Sequence, residues 1–531
     1  MTVAFGDRGL ACSAEPARRR VRGGLALATL APGLLLAACA PVPNLGPRPQ
    51  PLTAAQVQAD KSLPGTPGAV WPGDDWWKGW GDPQLDALIA EGLANSPDVA
   101  TALARFRRAG AMAEQAGAAR LPRADLQGNA GLERQSLNMG FPPQFQAFLP
   151  QGWNDGGQVA LNVGFDPDLW GRNRAAYAAA RSEQQAAALE ARQARLALTV
   201  GIASAYVDLD RLYAERDVRQ RQLESSTQIV KLTSERQANG LENRGGVALT
   251  AADLSTARVN LAAAEQALAL RRNQISALIG AGPDRGLALA RPRLAPPQAR
   301  PLPEAVTTEL VSRRADVIAA RSRVEAAASR IGVARADFFP SIRLGALIGF
   351  QSLGLDLLFN KNSMMGTVGP AISLPIFHGG ELQGRYRGAR ADYDEAVAGY
   401  NRTVLMAYQQ TADAVTSSQL AARQLGEARA GESAAREARD LMQARYKGGL
   451  ATAIDVLIAD DRLLRARLSV IALEDALRNA DVATVRALGG GVPLAMSGPA
   501  GGGGGAMPAA SPMPSSNPSS SAQNSKDPVH G

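Results

Sequence analysis

A mainly α-helical, internally duplicated fold, in which long coiled-coil helices run into a small set of transmembrane β-strands, is expected from three features of this sequence. The two halves of the chain align with each other at an offset that changes from 218 to 208 residues. Two segments of about 65 residues keep a helical pattern without a proline. Four stretches of about ten residues alternate apolar and polar side chains, each with a proline at one end.

The amino end has the form of an export signal. Arg18, Arg19, Arg20 and Arg22 precede an apolar run from Leu25 to Ala38, about 14 residues long. That run is shorter than the roughly 20 residues a bilayer-spanning helix needs. It ends Leu36-Ala37-Ala38-Cys39, which resembles the lipobox of bacterial lipoproteins. The resemblance implies cleavage before Cys39 and its acylation (palmitate among the lipids). With Ala40 rather than Asp next, it also implies an outer-membrane destination. The alternative is a plain signal peptide that contains a cysteine. Cys12 lies inside the leader, so the mature chain would hold one cysteine and no internal disulfide.

Composition narrows the class. Hydrophobic residues make up 46% of the 531 residues but aromatics only 5%, so small side chains, chiefly Ala, carry the apolar content and favour closely packed helices. The formal charge is +8, of which the five Arg of residues 1–38, set against Asp7 and Glu15, supply three. The remainder is modest for a chain of this length, and nucleic acid is not an expected partner.

The duplication organises the rest. Ser96-Pro97-Asp98-Val99 aligns with Arg314-Ala315-Asp316-Val317, and the same offset pairs Arg105 with Arg323, Pro122 with Pro340 and Leu126 with Leu344. Beyond the first strand the offset falls to 208, pairing Pro167 with Pro375 and Gly171 with Gly379; near the ends it is 209, pairing Gly240 with Gly449 and Gly280 with Gly489. The length difference therefore lies in a loop between Leu126 and Pro167.

Within the first half a helix over about 98–120 ends before Pro122. Alternation follows over about 123–134, with Ala124, Leu126, Ala130 and Leu132 facing one way and Asp125, Gln127, Asn129 and Glu133 the other. Residues 137–157 read as a loop, and alternation resumes over about 157–167 with Val159, Leu161, Val163 and Phe165. The second half repeats the plan over about 341–350 and 365–376, with Ile342, Leu344, Ile348, Val368 and Ile372 on the apolar side. Pro122, Pro167, Pro340 and Pro375 thus mark four helix–strand crossings, with Trp170, Phe338 and Phe339 nearby as an interfacial girdle would require. Ten-residue strands of this kind suit a membrane barrel. Four strands cannot close one, for which about eight is the practical minimum, so self-association is required, giving eight strands as a dimer or twelve as a trimer.

The helices argue for a second cylinder. The segment from about 173 to 240, and its counterpart from about 384 to 447, would each reach roughly 100 Å. Seams run through them and their return helices, over about 250–279 and 453–488: Leu196, Val200, Ala203 and Val207 in the first; Leu254, Leu261, Leu268 and Ile275, and Val456, Leu463, Val470 and Leu477, in the returns. Each long helix faces two shorter ones, which leaves the Pro- and Arg-rich residues 281–312 at the waist. The chain then divides into the leader 1–38, a lipidated linker 39–70, a first repeat 71–280, an equatorial linker 281–312, a second repeat 313–490 and a Gly/Pro/Ser-rich tail 491–531 expected to be disordered.

In this frame Trp76-Trp77 followed by Gly81-Asp82-Pro83-Gln84-Leu85, Asp168-Leu169-Trp170-Gly171-Arg172, Arg313-Arg314-Ala315-Asp316-Val317, Leu374-Pro375-Ile376-Phe377-His378-Gly379-Gly380 and Ala487-Leu488-Gly489 stand in order. Together they resemble the TolC-like outer-membrane factors, in particular their NodT/OprM-like lipoprotein branch. The resemblance implies a homotrimeric channel-tunnel, with a twelve-stranded β-barrel in the outer membrane continued by a periplasmic α-barrel. It implies a passive exit duct for drugs or other small molecules, docked to a periplasmic adaptor protein and an inner-membrane pump of the resistance-nodulation-division class. A type I secretion channel is the alternative within the family. A periplasmic adaptor or a structural coiled-coil lipoprotein is the alternative outside it, and each leaves the strand pairs unexplained.

Catalysis finds no footing. His378 and His530 are the only histidines, too few for a metal cluster or a His-based triad, and no cofactor is expected. The working sites are instead the two turns at the far end of the long helices, Gly240 to Gly246 (with Gly245) and Gly448-Gly449 to Thr452, expected to contact the adaptor. The resemblance places an acidic, cation-attracting constriction at Asp455 and a latching tyrosine at Tyr446. Ile458 stands where the family usually has a second Asp, and Ala451 where a basic partner is expected. Asp455 also reads as an ordinary carboxylate at a helix N-terminus.

Overall fold

A computed structural model describes residues 42–136 and 142–490. The leader, Cys39 and the tail beyond Gly490 lie outside the described residues. Helix α1 (Pro83–Asn95) and α2 (Pro97–Ala118) lead into strand β1 (Arg123–Glu133); β2 (Asn154–Phe165) leads into α3 (Arg172–Ala238), and α4 (Arg244–Leu278) returns. After the connecting segment come α5 (Val306–Arg313), α6 (Ala315–Ala336), β3 (Ser341–Leu353), β4 (Met364–Ser373), α7 (Glu381–Lys447) and α8 (Ala453–Leu488). The helices of 22, 67 and 35 residues at α2, α3 and α4 recur as 22, 67 and 36 at α6, α7 and α8.

The two 67-residue helices, each about 100 Å long at 1.5 Å per residue, run through both tiers of a layer of helices. Near the strands the helices neighbour one another in the order α2, α3, α6, α7; beyond the waist the order is α4, α3, α8, α7. A helix flanked on both sides buries two opposite stripes rather than one. Leu196, Leu198, Ile202, Ala203, Tyr206, Leu209 and Leu212 are accordingly all buried around α3, not only the seam read from its heptads. At the waist α1 plugs the junction: Leu85, Leu88 and Ile89 are fully buried against α3, each worth about 2 kcal/mol of burial. A second core beneath α5 and α6 gathers Val306, Leu310, Val317, Tyr400 and Val404. Residues 46–52 lie as a strap along α7, where Tyr393 Oη donates to Pro49 O at 3.2 Å and Asn401 Oδ1 accepts from Leu52 N at 2.8 Å.

The strands form one antiparallel sheet in the order β1-β2-β3-β4. Its register aligns Leu126 with Leu161, Leu161 with Ile348, Val163 with Ala346, and Ala346 with Val368. Directly opposed residues share a face, so one side of the sheet is a continuous apolar surface. The other carries Asp125, Asn162, Leu347 and Thr367, then Gln127, Ala160, Gly349 and Met365, then Asn129, Gln158 and Gln351, and is the more polar of the two. At Gly349 an added Cβ would collide with Val159 O, which explains a glycine in mid-strand.

Several boundaries differ from those expected of the sequence. Strand β2 begins at Asn154, not 157, because Asp155, Gly156 and Gly157 still find partners on β1. Strand β4 ends at Ser373, since Ser341 is the last residue of its partner, and Leu374 and Ile376 only continue the alternation. Helix α4 starts at Arg244 rather than 250, because Asn243 caps it by accepting from Gly246 N at 2.9 Å; Gly245 and Gly246 belong to its first turn, not to the reversal. Residues 281–312 are not all linker: a helical turn at Asp284–Leu287 and α5 interrupt them. Phe338 is buried edge-on against Tyr386 and takes no part in a girdle.

Candidate functional site

No helix among the described residues is long and apolar enough to cross a membrane. The apolar surface lies on the sheet, where Leu126, Ile348 and Ile372 are exposed and Val368 is 88% exposed. Both edges, β1 and β4, have unpaired backbone groups, a condition that a closed barrel removes.

The crossings show why their short motifs take these residues. Asp168 adopts a left-handed backbone (φ 51°), and its carboxylate accepts from Asn173 N and Arg174 N, both at 2.9 Å, so it closes the N-terminus of α3. Gly171, also left-handed at φ 75°, completes the turn. Trp170 stacks on Phe339 with ring centroids 4.8 Å apart and donates through Nε1 to Pro340 O at 2.7 Å. Arg172 pairs with Asp337 at 2.8 Å. The crossing of the first repeat is thus fastened to that of the second, while Leu169, Trp170, Ile376 and Phe377 stay exposed beside the sheet. Pro122, Pro167, Pro340 and Pro375 each stand in the short connection between a helix and a strand.

At the waist Asp82 caps α1 through Gln84 N (3.0 Å) and accepts from Tyr206 Oη and from Arg293 N, both at 2.7 Å. Burial, reinforced by Asp82, pushes the Tyr206 hydroxyl well above its ordinary range. Asp481 accepts from Arg300 Nε at 2.6 Å and from Trp80 Nε1 at 3.3 Å, tying the connecting segment to α8. Asp475 lies between helices with Arg211 at 3.6 Å. Burial and then the charge of Asp208 push its carboxyl up to about 6, against Arg211 and Arg478. Sequence reading missed Tyr206, Asp475 and Asp481; the one available signal was a tyrosine set in an Ala- and Val-rich seam.

The two tips are built alike. Each long helix ends in a Schellman motif, with Gly240 (φ 72°) and Gly449 (φ 71°) left-handed. Leu241 N donates to Arg236 O, and Leu450 N to Arg445 O, both at 2.8 Å. Leu241 and Leu450 project exposed, and Asn243 and Thr452 cap the helices that follow. Gly448 is the C-cap of α7.

Asp455 sits three residues into this capping box: Thr452 N and Thr452 Oγ1 donate to its carboxylate at 2.8 and 2.7 Å. Those bonds hold its carboxyl below the usual carboxylate range. Tyr446 and Ile458 are exposed on either side of the turn. Of the acids that follow, Asp460 faces Arg439 at 3.8 Å and Asp461 pairs with Arg465. Among the described residues Asp455 forms no ion pair, although the charge of Arg445 acts on it. Among the described residues no three His, Cys, Asp or Glu side chains gather to hold a metal ion.

The family described as outer membrane efflux protein matches residues 88–281 and 306–490. The fusaric acid resistance protein FusA of Burkholderia cepacia is 36% identical over 375 residues, covering 70% of this chain and 70% of its own. The multidrug resistance outer membrane protein MdtP of Escherichia coli K12 is 30% identical over 426 residues, 79% of this chain and 87% of its own. The crystal structure of the outer membrane protein VceC from Vibrio cholerae superposes with a TM-score of 0.73 at 39% identity, covering 80% of this chain and 100% of that one.

Proposed function

The chain belongs to the outer membrane efflux protein family, and from that premise we propose that three copies close into an outer-membrane exit duct for small molecules. The carrying observation is the four-stranded sheet with one apolar and one polar face, continuous through its crossings with helices of about 100 Å. Strands β1 and β4 run in opposite directions, so β4 of one copy can add β1 of the next in an antiparallel ladder, and rotation closes the ring. Three copies supply twelve strands around water and, tier by tier, twelve helices below them. The names of the relatives, for multidrug and fusaric acid resistance, support small-molecule cargo over secreted polypeptides.

A periplasmic adaptor engages the tips at Gly240-Leu241 and Gly449-Leu450, and an inner-membrane pump supplies the energy. Asp455, with Tyr446 and Ile458 beside it, forms the constriction there. Cys39 carries the lipid anchor. Gly46 is held by Arg390, nine residues into α7 and so about 14 Å from the crossing. The seven residues from Cys39 to Gly46 can extend about 25 Å, enough for an acyl chain at Cys39 to reach the inner leaflet.

Purified outer membranes test this reading by heat-modifiable gel mobility and cross-linking. A ladder ending at three copies, with an SDS-resistant form lost on boiling, is expected. A monomer that neither cross-links nor inserts into bilayers would overturn it.

A further inference from the structure

The apolar face of the sheet stops one row short of a membrane's thickness. From Ile342 to Phe350 its rows climb about 27 Å along β3 at about 3.4 Å per residue, or about 21 Å of height at a strand tilt of about 40°. An outer-membrane barrel carries an apolar band about 25 Å tall. The next row on this face, about 5 Å higher, is Ala130, Gly157 and Ser352, which has little to offer hydrocarbon.

The connection from β3 to β4 lies across that row. Gly354 N and Leu355 N donate to Asp155 O and Asp155 Oδ2 at 2.6 and 2.9 Å, which folds the connection back over β2. Leu358 is buried, and a Cβ added at Gly157 would come within 2.8 Å of Leu355 Cδ2 and 3.6 Å of Leu358 Cδ2. Gly157 is thus a glycine because leucines fill the space above it. Phe359 meets Phe350, of the last apolar row, edge to face with ring centroids 5.8 Å apart.

Two properties set this connection apart from a water-facing loop. Leu355, Leu357 and Phe359 are exposed, Phe359 to 73%, and Leu132 and Met364 are exposed on the same face. Much of its backbone is also bonded internally. Leu357 N donates to Gly354 O, Leu358 N to Leu355 O and Asn360 N to Leu357 O, while Ser363 Oγ donates to Leu357 O at 2.8 Å. Such bonds reduce the penalty that keeps open loops out of hydrocarbon. A second copy is not the occupant of this patch. Copies join at the edges β1 and β4, whereas the connection covers the inner strands β2 and β3.

We propose that Leu355, Leu357 and Phe359 form a collar that completes the apolar band and seats the outer end of the barrel among the acyl chains of the outer leaflet. Asp356, Asn360 and Lys361 then stand at headgroup level, as the polar side of an interfacial segment does. The proposal rests on the duct reading, because it takes the apolar face of the sheet as the lipid side.

Spin labels test it in the full-length protein reconstituted into phosphatidylcholine vesicles. Nitroxides on Leu357→Cys and Phe359→Cys are compared with Val368→Cys on the apolar face and Gln351→Cys on the polar face. Wild type labelled in the same way gives the background of Cys39. All four side chains are exposed, so the labels enter open space. The ratio of collisions with oxygen to collisions with a water-soluble nickel chelate should be at least fivefold higher at both loop positions than at Gln351, and close to that at Val368. A ratio at either loop position matching Gln351, with Val368 still high, overturns the collar alone. A low ratio at Val368 as well overturns the duct reading and the collar with it. The triple variant Leu355→Asn/Leu357→Asn/Phe359→Asn keeps Leu358 and Asp155, so its loop should still fold. It should assemble best in bilayers of shorter acyl chains than wild type prefers, and an unchanged preference overturns the collar too.

Discussion

Asp475 shows what a buried charge does inside a wall of helices. Its carboxyl is pushed up to about 6 by burial and by Asp208, while Arg211 and Arg478 pull the other way and Asn479 donates to it at 3.3 Å. A folded-state value above the unfolded one means that the folded protein keeps a proton which the unfolded chain releases. Its contribution to stability is present below about pH 4 and is lost as pH rises through about 6, on the order of a few kcal/mol at most. Asp475→Asn should therefore match the wild type or fall below it at pH 4, and melt several degrees higher at pH 7 to 8, followed by circular dichroism at 222 nm. Equal pH profiles would refute the assignment. Asp168 makes a second case. Its carboxylate closes α3 from a left-handed backbone, so Asp168→Ala should cost about 1–2 kcal/mol, seen as a lower melting temperature, with Asp168→Asn milder because Asn tolerates that conformation. Apolar seam positions such as Leu268 and Ile275 were legible because burial follows period. Asp475 and Tyr206 were not, because a polar residue's partner lies on another helix, and spacing along its own helix carries no trace of it.

The four helix–strand crossings were legible because proline states its own constraint: it cannot continue a helix or donate to a ladder. Element ends were less so. Alternation past Ser373 looked like strand, yet a ladder stops where its partner stops; a helix starts where a side chain caps it, as Asn243 does for α4. The same physics bears on the tip. Asp455 is both the cap partner of Thr452 and the acid proposed to constrict the passage. Asp455→Asn separates the roles, since an amide oxygen can still accept from Thr452 N while the charge is gone. A constriction role requires that Asp455→Asn and Asp455→Ala both raise conductance and weaken cation preference in planar bilayers, with trimers intact. A purely capping role leaves Asp455→Asn silent. Because the Thr452 bonds hold the carboxyl below the ordinary range, the cation preference it confers should persist to lower pH than a free carboxylate would allow.

The proposed closure of the barrel would turn the two faces of the sheet into two solvents. That consequence can be probed within a single strand, because successive residues of β4 point to opposite faces. Val368 stands level with Ala346 on the apolar side, and Thr367 stands level with Leu347 and Asn162 on the polar side. In the proposed trimer a lysine at Val368 would face hydrocarbon near mid-strand, at a cost of about 2–4 kcal/mol per copy, a penalty met three times. A lysine at Thr367 would face water and add one positive charge per copy to the lumen. Val368→Lys should therefore deplete the heat-modifiable assembled form in outer-membrane fractions while leaving the helical circular dichroism of the purified chain unchanged. Thr367→Lys should assemble at wild-type levels and shift ion selectivity toward anions. The alternation that separates these two neighbours was plain in the sequence. The register that sets Thr367 beside Leu347 was not, because pairing depends on how the loops align separate strands. If both variants assemble equally well, the lipid and water faces have been wrongly assigned.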